Sequence, residues 1–217
     1  MNKKVIGIIA AVVVVVAGFL FLTKPKAKTN TSTGSTSSVS NHVEGKGAKN
    51  VTLVEYGDYQ CPACGAYYPI LKTLFDKYQD DIYFQFRNNP LESLHQNARA
   101  GARAAEAANI QGKFWEMHDA LYENQKSWES ASDPLVYYTQ YAKSVGVADL
   151  TKFAADYRST AVNSIINADL QAGQKYSITG TPTFILDGKK LEANPNSADA
   201  FYKILDAEIA KKNPVAK

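Results

Sequence analysis

The sequence has little of what holds small proteins together covalently or through metal ions. Among 217 residues there are 2 cysteines and 3 histidines. Two cysteines cannot build a disulfide scaffold, so a hydrophobic core must hold the folded part together. Zinc sites commonly take four cysteine or histidine ligands, and this chain has few to offer. The two cysteines, Cys61 and Cys64, are close in sequence and are expected to act together.

The part of the chain that should fold also lacks an excess of positive charge. The whole chain has a net charge of +3, but residues 1–49 contain seven lysines and a single acidic residue. Residues 50–217 are therefore slightly acidic. Nucleic-acid binding depends on positive charge that neutralises phosphates, so we predict no nucleic-acid partner.

One long apolar run lies at the N-terminus. Residues 5–22 carry no charge and would form a helix of about 27 Å, close to the thickness of the bilayer core. The run continues past the only candidate cleavage site, residues 16–18, which favours an uncleaved anchor over a signal peptide. Lysines flank it on both sides and favour neither orientation. We predict residues 1–22 to be a transmembrane signal anchor.

The segment after the anchor is poor in apolar residues. Nine of the thirteen residues 29–41 are Ser or Thr. Such a composition cannot bury enough apolar surface to order itself. We predict a flexible linker over residues 23–49 and a folded domain over residues 50–217.

The folded domain is predicted to be α/β. Residues 51–57 are mostly apolar on both faces, as in a central strand, and apolar residues at helical spacing follow from Cys61 to Tyr78. Residues 82–87 form a second predicted strand. A strand, helix and second strand in one sheet make a right-handed parallel unit.

A helical block is predicted to interrupt the sheet. Helical patterns fill about residues 92–178, and strands return at residues 183–186 and 189–191. Asp187-Gly188 between these strands favours a two-residue hairpin. Ser197 is predicted to cap a final helix. The predicted order is βαβ, helical insert, ββα.

The reactive segment is Cys61-Pro62-Ala63-Cys64. A thiol at a helix N-terminus is stabilised as the thiolate by free backbone N–H groups and by the helix dipole, so Cys61 is the predicted nucleophile. Pro62 suits the first helical position. Cys64 lies one turn inward, close enough for a disulfide but less accessible, and is the predicted resolving thiol.

Two other interpretations of this pair remain open. A CxxC segment can be half of a zinc site, but it needs two further ligands from a chain with three histidines and no other cysteine. A purely structural disulfide would close a loop of four residues, and short loops gain little stability from closure.

Four segments in order resemble the exported DsbA-like thiol-disulfide oxidoreductases of the thioredoxin superfamily. They are Val-Glu-Tyr-Gly-Asp-Tyr-Gln-Cys-Pro-Ala-Cys at 54–64, Phe-Arg-Asn-Asn-Pro-Leu at 86–91, Gly-Lys-Phe-Trp at 112–115 and Gly-Thr-Pro-Thr-Phe at 180–184. The resemblance implies a thioredoxin fold with an inserted helical domain.

The resemblance also assigns roles beyond the cysteines. Pro182 matches the family's cis-proline facing the disulfide, and Thr181 matches the residue whose backbone pairs with bound substrate. Glu55 matches a buried acid beneath the disulfide. A buried acid has a raised pKa and can take the proton from Cys64 during resolution.

The sequence departs from the family at Ala63. The family's strongest oxidants have a histidine there, which stabilises the nucleophile's thiolate, so Ala63 implies a milder oxidant. His95 and His118 are predicted to be structural, because neither lies near the cysteines in sequence.

The resemblance favours a membrane-tethered thiol oxidase that gives its disulfide to unfolded exported proteins with free thiols. It implies no cofactor besides that disulfide, no metal, and reoxidation by a quinone-linked membrane oxidase, DsbB-like or vitamin K epoxide reductase-like. We expect a single-pass protein of the cytoplasmic membrane, a monomer because no dimerisation segment is visible. An extracytoplasmic reductase or isomerase is the alternative, and a substrate-holding or metal-carrying module is the non-enzymatic one.

The first prediction concerns topology. Disulfides persist outside the cytosol, so residues 50–217 should face the extracytoplasmic side. Protease added to intact cells or spheroplasts should release the domain by cutting within residues 29–49, while a cytoplasmic marker protein stays whole. Full protection of the domain after the outer barriers are removed would contradict this topology.

Overall fold

A five-stranded mixed sheet organises the residues that the structure describes. The computed structural model describes residues 38–214, so the predicted anchor at 1–22 and most of the predicted linker lie outside the described residues. The strands are β1 (His42–Glu44), β2 (Val51–Gly57), β3 (Ile82–Asn88), β4 (Thr183–Leu186) and β5 (Lys189–Lys190).

The sheet has the strand order β1-β3-β2-β4-β5. Strands β2 and β3 are parallel, as predicted for the βαβ unit, whereas β1 and β4 run antiparallel to their neighbours. Glu55 on β2 lies in register with Phe86 on one side and Phe184 on the other. The acid is therefore in the middle of the sheet, between two apolar neighbours.

Helices α1 and α8 cover one face of the sheet, and the insert lies between β3 and β4. The helices are α1 (Pro62–Tyr78), α2 (Ala98–Asn109), α3 (Phe114–Glu123), α4 (Gln125–Trp128), α5 (Leu135–Ser144), α6 (Leu150–Tyr157), α7 (Thr160–Gly173) and α8 (Ala198–Lys212), with a 3₁₀ turn at Gln174–Tyr176. Residues 98–176 are thus predominantly helical, as the helical patterns predicted.

Local signals set several of these boundaries. Ser197 caps α8 by accepting a hydrogen bond from the Ala200 N–H, as predicted. Asp187 and Gly188 both have positive φ, as a two-residue hairpin with a primed turn requires.

Two apolar clusters form the core. In the first, Leu53 and Phe184 of the sheet pack with Leu74 of α1 and Phe201 of α8. The second fills the helical insert, where the small side chains of α2 let neighbouring helices approach, and it extends to Cys61. The cysteines therefore lie where the insert meets the thioredoxin-like part.

The folded region begins before residue 50, so the predicted end of the linker was wrong. Strand β1 pairs with β3, with His42 opposite Phe86. The His42 ring stacks on Phe114 with centroids 3.4 Å apart, and His42 Nε2 lies 2.7 Å from Glu106 Oε1. The Ser- and Thr-rich composition gave no sign of these contacts.

A buried carboxylate fastens this N-terminal segment. Asp169, fully buried on α7, accepts hydrogen bonds from the Ser40 N–H at 2.9 Å and the Ser40 hydroxyl at 2.7 Å. It also accepts from the backbone and side chain of Asn88, each at 3.0 Å, and from Arg87 at 3.2 Å. One side chain thus joins the start of the folded region, the end of β3 and the insert.

Among residues 38–214, no helix has both the length and the hydropathy needed to cross a bilayer.

The second prediction tests the Asp169 junction. Asp169→Asn places an amide against five donors and leaves Arg87 without its carboxylate, so it should lower the free energy of unfolding by about 2–4 kcal/mol in urea titrations. Asp156→Asn, which removes an i,i+4 pair with Lys152 on α6, is the control and should cost less than about 1 kcal/mol. Equal losses in the two variants would contradict a structural role for the junction.

Candidate active site

Cys61 lies at the N-terminus of α1, directly after the loop that leaves β2. It is the N-cap residue, with extended backbone (φ −65°, ψ 122°), and Pro62 occupies the first turn. The free N–H groups of that turn therefore point toward the Cys61 side chain. The structure places the helix start where the sequence predicted it.

The loop before Cys61 is fixed by the buried carboxylate of Asp58. It accepts hydrogen bonds from the Gln60 N–H at 2.8 Å and the Leu91 N–H at 2.9 Å, and it pairs with His95 Nδ1 at 2.7 Å. The Asp58 carbonyl also accepts the Cys61 N–H at 3.0 Å. His95 therefore supports the loop before Cys61, which agrees with its predicted structural role.

The surroundings of Cys61 favour its thiolate. Its pKa is lowered to about 5, chiefly by the hydrogen bond from the Cys64 thiol, against the opposing effect of burial. Further donors are the Thr181 side chain and the backbone N–H groups of Cys64 and Ala63. Cys61 is 6% exposed, so its solvent access is narrower than the sequence suggested.

Cys64 has the opposite character. It is 1% exposed, and burial is the main cause of a pKa raised well above the ordinary thiol value. Its hydrogen bond to Cys61 and the negative charge of Glu55 raise the pKa further. At neutral pH one sulfur of the pair is therefore ionised and the other protonated.

Thr181 and Pro182 face this pair from the other side. The Thr181–Pro182 peptide bond is cis, as the resemblance implied. The Cys61 thiol donates to the Thr181 carbonyl at 3.3 Å. A thiolate cannot donate, so the ionised sulfur loses this bond to the carbonyl, and the Thr181 hydroxyl, which has no hydrogen-bond partner among residues 38–214, is the part of Thr181 that can stabilise it.

Glu55 is the buried acid of the site. Burial, and secondarily the charge of Cys61, raises its pKa to about 8. Neither carboxylate oxygen has a hydrogen-bond partner within the described residues. A Cβ at Gly57 would lie 2.4 Å from the Phe86 ring and 3.1 Å from Glu55 Oε1, so glycine at 57 leaves the room that this carboxyl group occupies.

His118 is structural. Burial lowers its pKa to about 3, so the ring is neutral, and its Nδ1 lies 3.1 Å from the Tyr59 hydroxyl. Tyr122, Phe86 and Trp115 surround the ring with centroid distances of 4.8 to 5.1 Å. Phe86 and Tyr122 belong to the same apolar cluster as the two cysteines, and Trp115 packs against it.

Two glutamines at the site were missed by the sequence analysis. Gln60 donates to the Glu129 carbonyl at 2.7 Å and accepts from the Asn97 N–H at 2.5 Å. Gln125 donates to the carbonyls of Tyr59 and Cys61. Their partners lie 37 to 69 residues away in the sequence, so no local pattern could have identified them.

Residues 38–214 contain no group of three or more His, Cys, Asp and Glu side chains placed to hold a metal ion. What the site offers chemically is an acidic thiol, a protonated partner thiol and a buried acid in the same place. This arrangement suits thiol-disulfide exchange.

The third prediction concerns the two thiols. Ultraviolet titration of the reduced protein should give a Cys61 pKa near 5, and iodoacetamide at pH 6 should modify Cys61 before Cys64. Cys64→Ser should retain mixed disulfides with substrates, because the resolving thiol is missing, and Cys61→Ser should retain none. The reverse pattern would overturn the assignment of nucleophile and resolving thiol.

Comparison with known proteins gives three kinds of match. The thioredoxin family model matches residues 37–207. Among curated relatives, a protein named Na⁺/H⁺ antiporter NhaA 3 from Salinispora tropica is 36% identical over 149 residues. That match covers 69% of this chain but 22% of the relative, so the chain spans about a fifth of that protein's length. The transport activity that this name describes is a property of that relative.

The solved structures that match this chain have the same fold. BdbD from Bacillus subtilis is 26% identical with a TM-score of 0.66, covering 79% of this chain and 98% of that one. A thioredoxin-like oxidoreductase from Silicibacter pomeroyi is also 26% identical, with a TM-score of 0.63 and coverage of 76% and 90%. The thiol-disulfide exchange protein α-DsbA2 from Wolbachia pipientis is 20% identical with a TM-score of 0.64, covering 77% and 86%. The chain therefore belongs to the thioredoxin family, and it shares its fold with solved proteins of the DsbA type.

Proposed function

We propose that this protein is a membrane-tethered thiol oxidase that introduces disulfide bonds into exported proteins. The observation that carries the proposal is the position of Cys61 at the start of α1 with Cys64 buried beside it, which lowers the pKa of the Cys61 thiol to about 5. A stabilised thiolate favours the reduced enzyme and cannot favour the disulfide form, so the Cys61–Cys64 disulfide is expected to be oxidising.

The first step is attack by a substrate thiolate on the Cys61 sulfur of the disulfide. The Cys61–Cys64 bond breaks, a mixed disulfide forms, and Cys64 leaves with the bonding electron pair. Because burial raises the pKa of Cys64 so strongly, its thiolate must take up a proton. Glu55, protonated at neutral pH with a pKa of about 8, can supply that proton.

The second step releases the substrate. A second substrate thiol loses its proton to solvent and attacks the substrate sulfur of the mixed disulfide, and Cys61 departs as the stabilised thiolate. The substrate has lost two electrons and the enzyme has gained them. Glu55 regains its proton from solvent. In the reductase direction Glu55 would instead take the proton from Cys64.

The surface beside the site is suited to binding unfolded chains. Leu94 is 74% exposed in the loop after β3, and Asp58 ties this loop to the Cys61 loop through the Leu91 N–H and His95. An exposed apolar side chain in a loop that is tied to the Cys61 loop offers contact to apolar segments that a folded substrate would have buried. Thr181 is the proposed backbone partner of such a segment, with Pro182 beside it.

The electrons that the enzyme gains in each cycle determine which partners we propose. Each cycle leaves the enzyme reduced, so an oxidant must restore the disulfide, and a quinone-linked membrane oxidase of the DsbB or vitamin K epoxide reductase type would serve. Anchoring through residues 1–22 would keep the domain on the extracytoplasmic side of the cytoplasmic membrane, beside that oxidase and the emerging substrates. The cysteine pair needs no further cofactor.

The second candidate is an extracytoplasmic reductase or isomerase, which Ala63 favours. The methyl group at this position gives the thiolate neither a charge nor a hydrogen bond, so the disulfide would be a milder oxidant. The reduction potential separates the two, and a value near −270 mV, that of thioredoxin, would favour the reductase. A purely substrate-holding or metal-carrying module would keep its function in Cys61→Ser.

The fourth prediction links redox state to stability. The pKa of Cys61 is lowered in the folded protein, so its thiolate adds stability above about pH 5, and this gain is lost as pH falls through that value. Reduction should therefore raise the melting temperature by a few °C at pH 7, and the difference should vanish near pH 4.5. Burial of Glu55 affects both redox forms and largely cancels in the comparison.

Thermal melts of the oxidised and reduced protein, recorded from pH 4 to 8, measure this difference in melting temperature. Ala63→His should enlarge the difference, because a histidine at 63 adds a charge or a donor near the thiolate. If the oxidised form is the more stable across the whole range, the disulfide is not a donor and the reductase takes its place.

A further inference from the structure

The helical insert reaches the nucleophile through one amide side chain. Gln125, the first residue of α4, is 6% exposed. Its Nε2 donates to the Tyr59 carbonyl at 2.7 Å and to the Cys61 carbonyl at 3.0 Å. Both amide protons are therefore donated to backbone carbonyls of residues 59–61, the segment that carries the reactive sulfur. The Cys61 carbonyl also accepts the Gly65 N–H at 3.1 Å, the first hydrogen bond of the helix.

The chain leaves room for this amide on α1. A Cβ at Gly65 would lie 2.7 Å from Gln125 Oε1, so an alanine at this position would force the amide to move. Glycine inside a helix costs about 0.5–1 kcal/mol relative to alanine, so Gly65 is a local disadvantage that the Gln125 side chain explains.

Two physical effects connect these contacts to the thiolate. The carbonyl oxygen of Cys61 carries partial negative charge close to Sγ, and an N–H donor placed on it reduces the repulsion that the thiolate feels. The two hydrogen bonds also fix the backbone on both sides of Gln60, so Sγ stays beside the free N–H groups of the helix start. Ala63 supplies no such stabilisation from its side chain.

We propose that Gln125 is a positioning residue for the thiol-disulfide chemistry, through which the helical insert holds the Cys61 backbone and stabilises the Cys61 thiolate. The inference rests on exchange at Cys61 but not on the direction of that exchange. It assigns the insert a part in setting the strength of the redox pair in addition to its part in the core.

The test replaces the amide by an apolar side chain of similar shape. Gln125→Met should raise the Cys61 pKa, measured by thiolate absorbance of the reduced protein, by about half a unit to one unit. One full unit also changes the equilibrium constant with glutathione tenfold, about 30 mV, toward a less oxidising disulfide. The absorbance titration needs no substrate, so it remains valid even if the oxidase proposal fails.

Asn97→Leu is the matched control. Asn97 is also a buried amide of the insert, but its Nδ2 donates to the carbonyls of Trp128, Glu129 and Ala131, all within the insert. Its backbone N–H, which donates to Gln60, is kept in the variant. Its loss should lower the melting temperature at least as much as Gln125→Met does, and it should leave the Cys61 pKa within about 0.2 units of wild type.

Gly65→Ala is the second test. It keeps the Gln125 amide but displaces it, so the Cys61 pKa should rise, while adding Gly65→Ala to Gln125→Met should change that pKa no further. An unchanged pKa in both Gln125→Met and Gly65→Ala would overturn the proposal. A shift of the same size in Asn97→Leu would also overturn it, because it would show a general response to a weakened insert.

Discussion

The hydrogen bond from the Cys64 thiol to the Cys61 sulfur is the interaction on which the site depends. It is the main cause that lowers the Cys61 pKa, and the same bond helps to raise the pKa of Cys64. It can form only because α1 starts at Cys61 and puts Cys64 one turn further, inside the core. Burial then decides which sulfur is charged, since a thiolate at Cys64 would have to ionise next to Glu55 without water.

The two sulfurs must be held next to each other, and this explains why the boundary between the insert and the thioredoxin-like part contains polar contacts. The two core clusters are made of apolar side chains, but around the Cys61 loop the contacts are the amides of Gln60 and Gln125 and the carboxylate of Asp58. Two apolar surfaces stay in contact when one shifts slightly along the other, whereas a hydrogen bond to a particular carbonyl weakens when its distance or angle changes. A loop that must hold a sulfur within reach of several donors is better fixed by the second kind of contact.

What the sequence could predict depended on whether the signal was local. The start of α1 at Cys61, the turn at Asp187-Gly188 and the cap at Ser197 are each coded by a few neighbouring residues. The early start of the folded region could not be predicted in this way, because Ser40 is ordered by Asp169, which is 129 residues away. Gln125 was missed for the same reason.

Ala63 gives these long-range contacts their importance. A histidine at that position would stabilise the thiolate through its own charge, largely independent of small shifts in the backbone. Without it, the stabilisation of Cys61 comes from the Cys64 thiol, the Thr181 side chain and backbone N–H groups, all of which act over hydrogen-bond distances. Such interactions weaken steeply with misalignment, whereas the attraction between charges falls only slowly with distance. The acidity of the Cys61 thiol therefore depends on how firmly its loop is held.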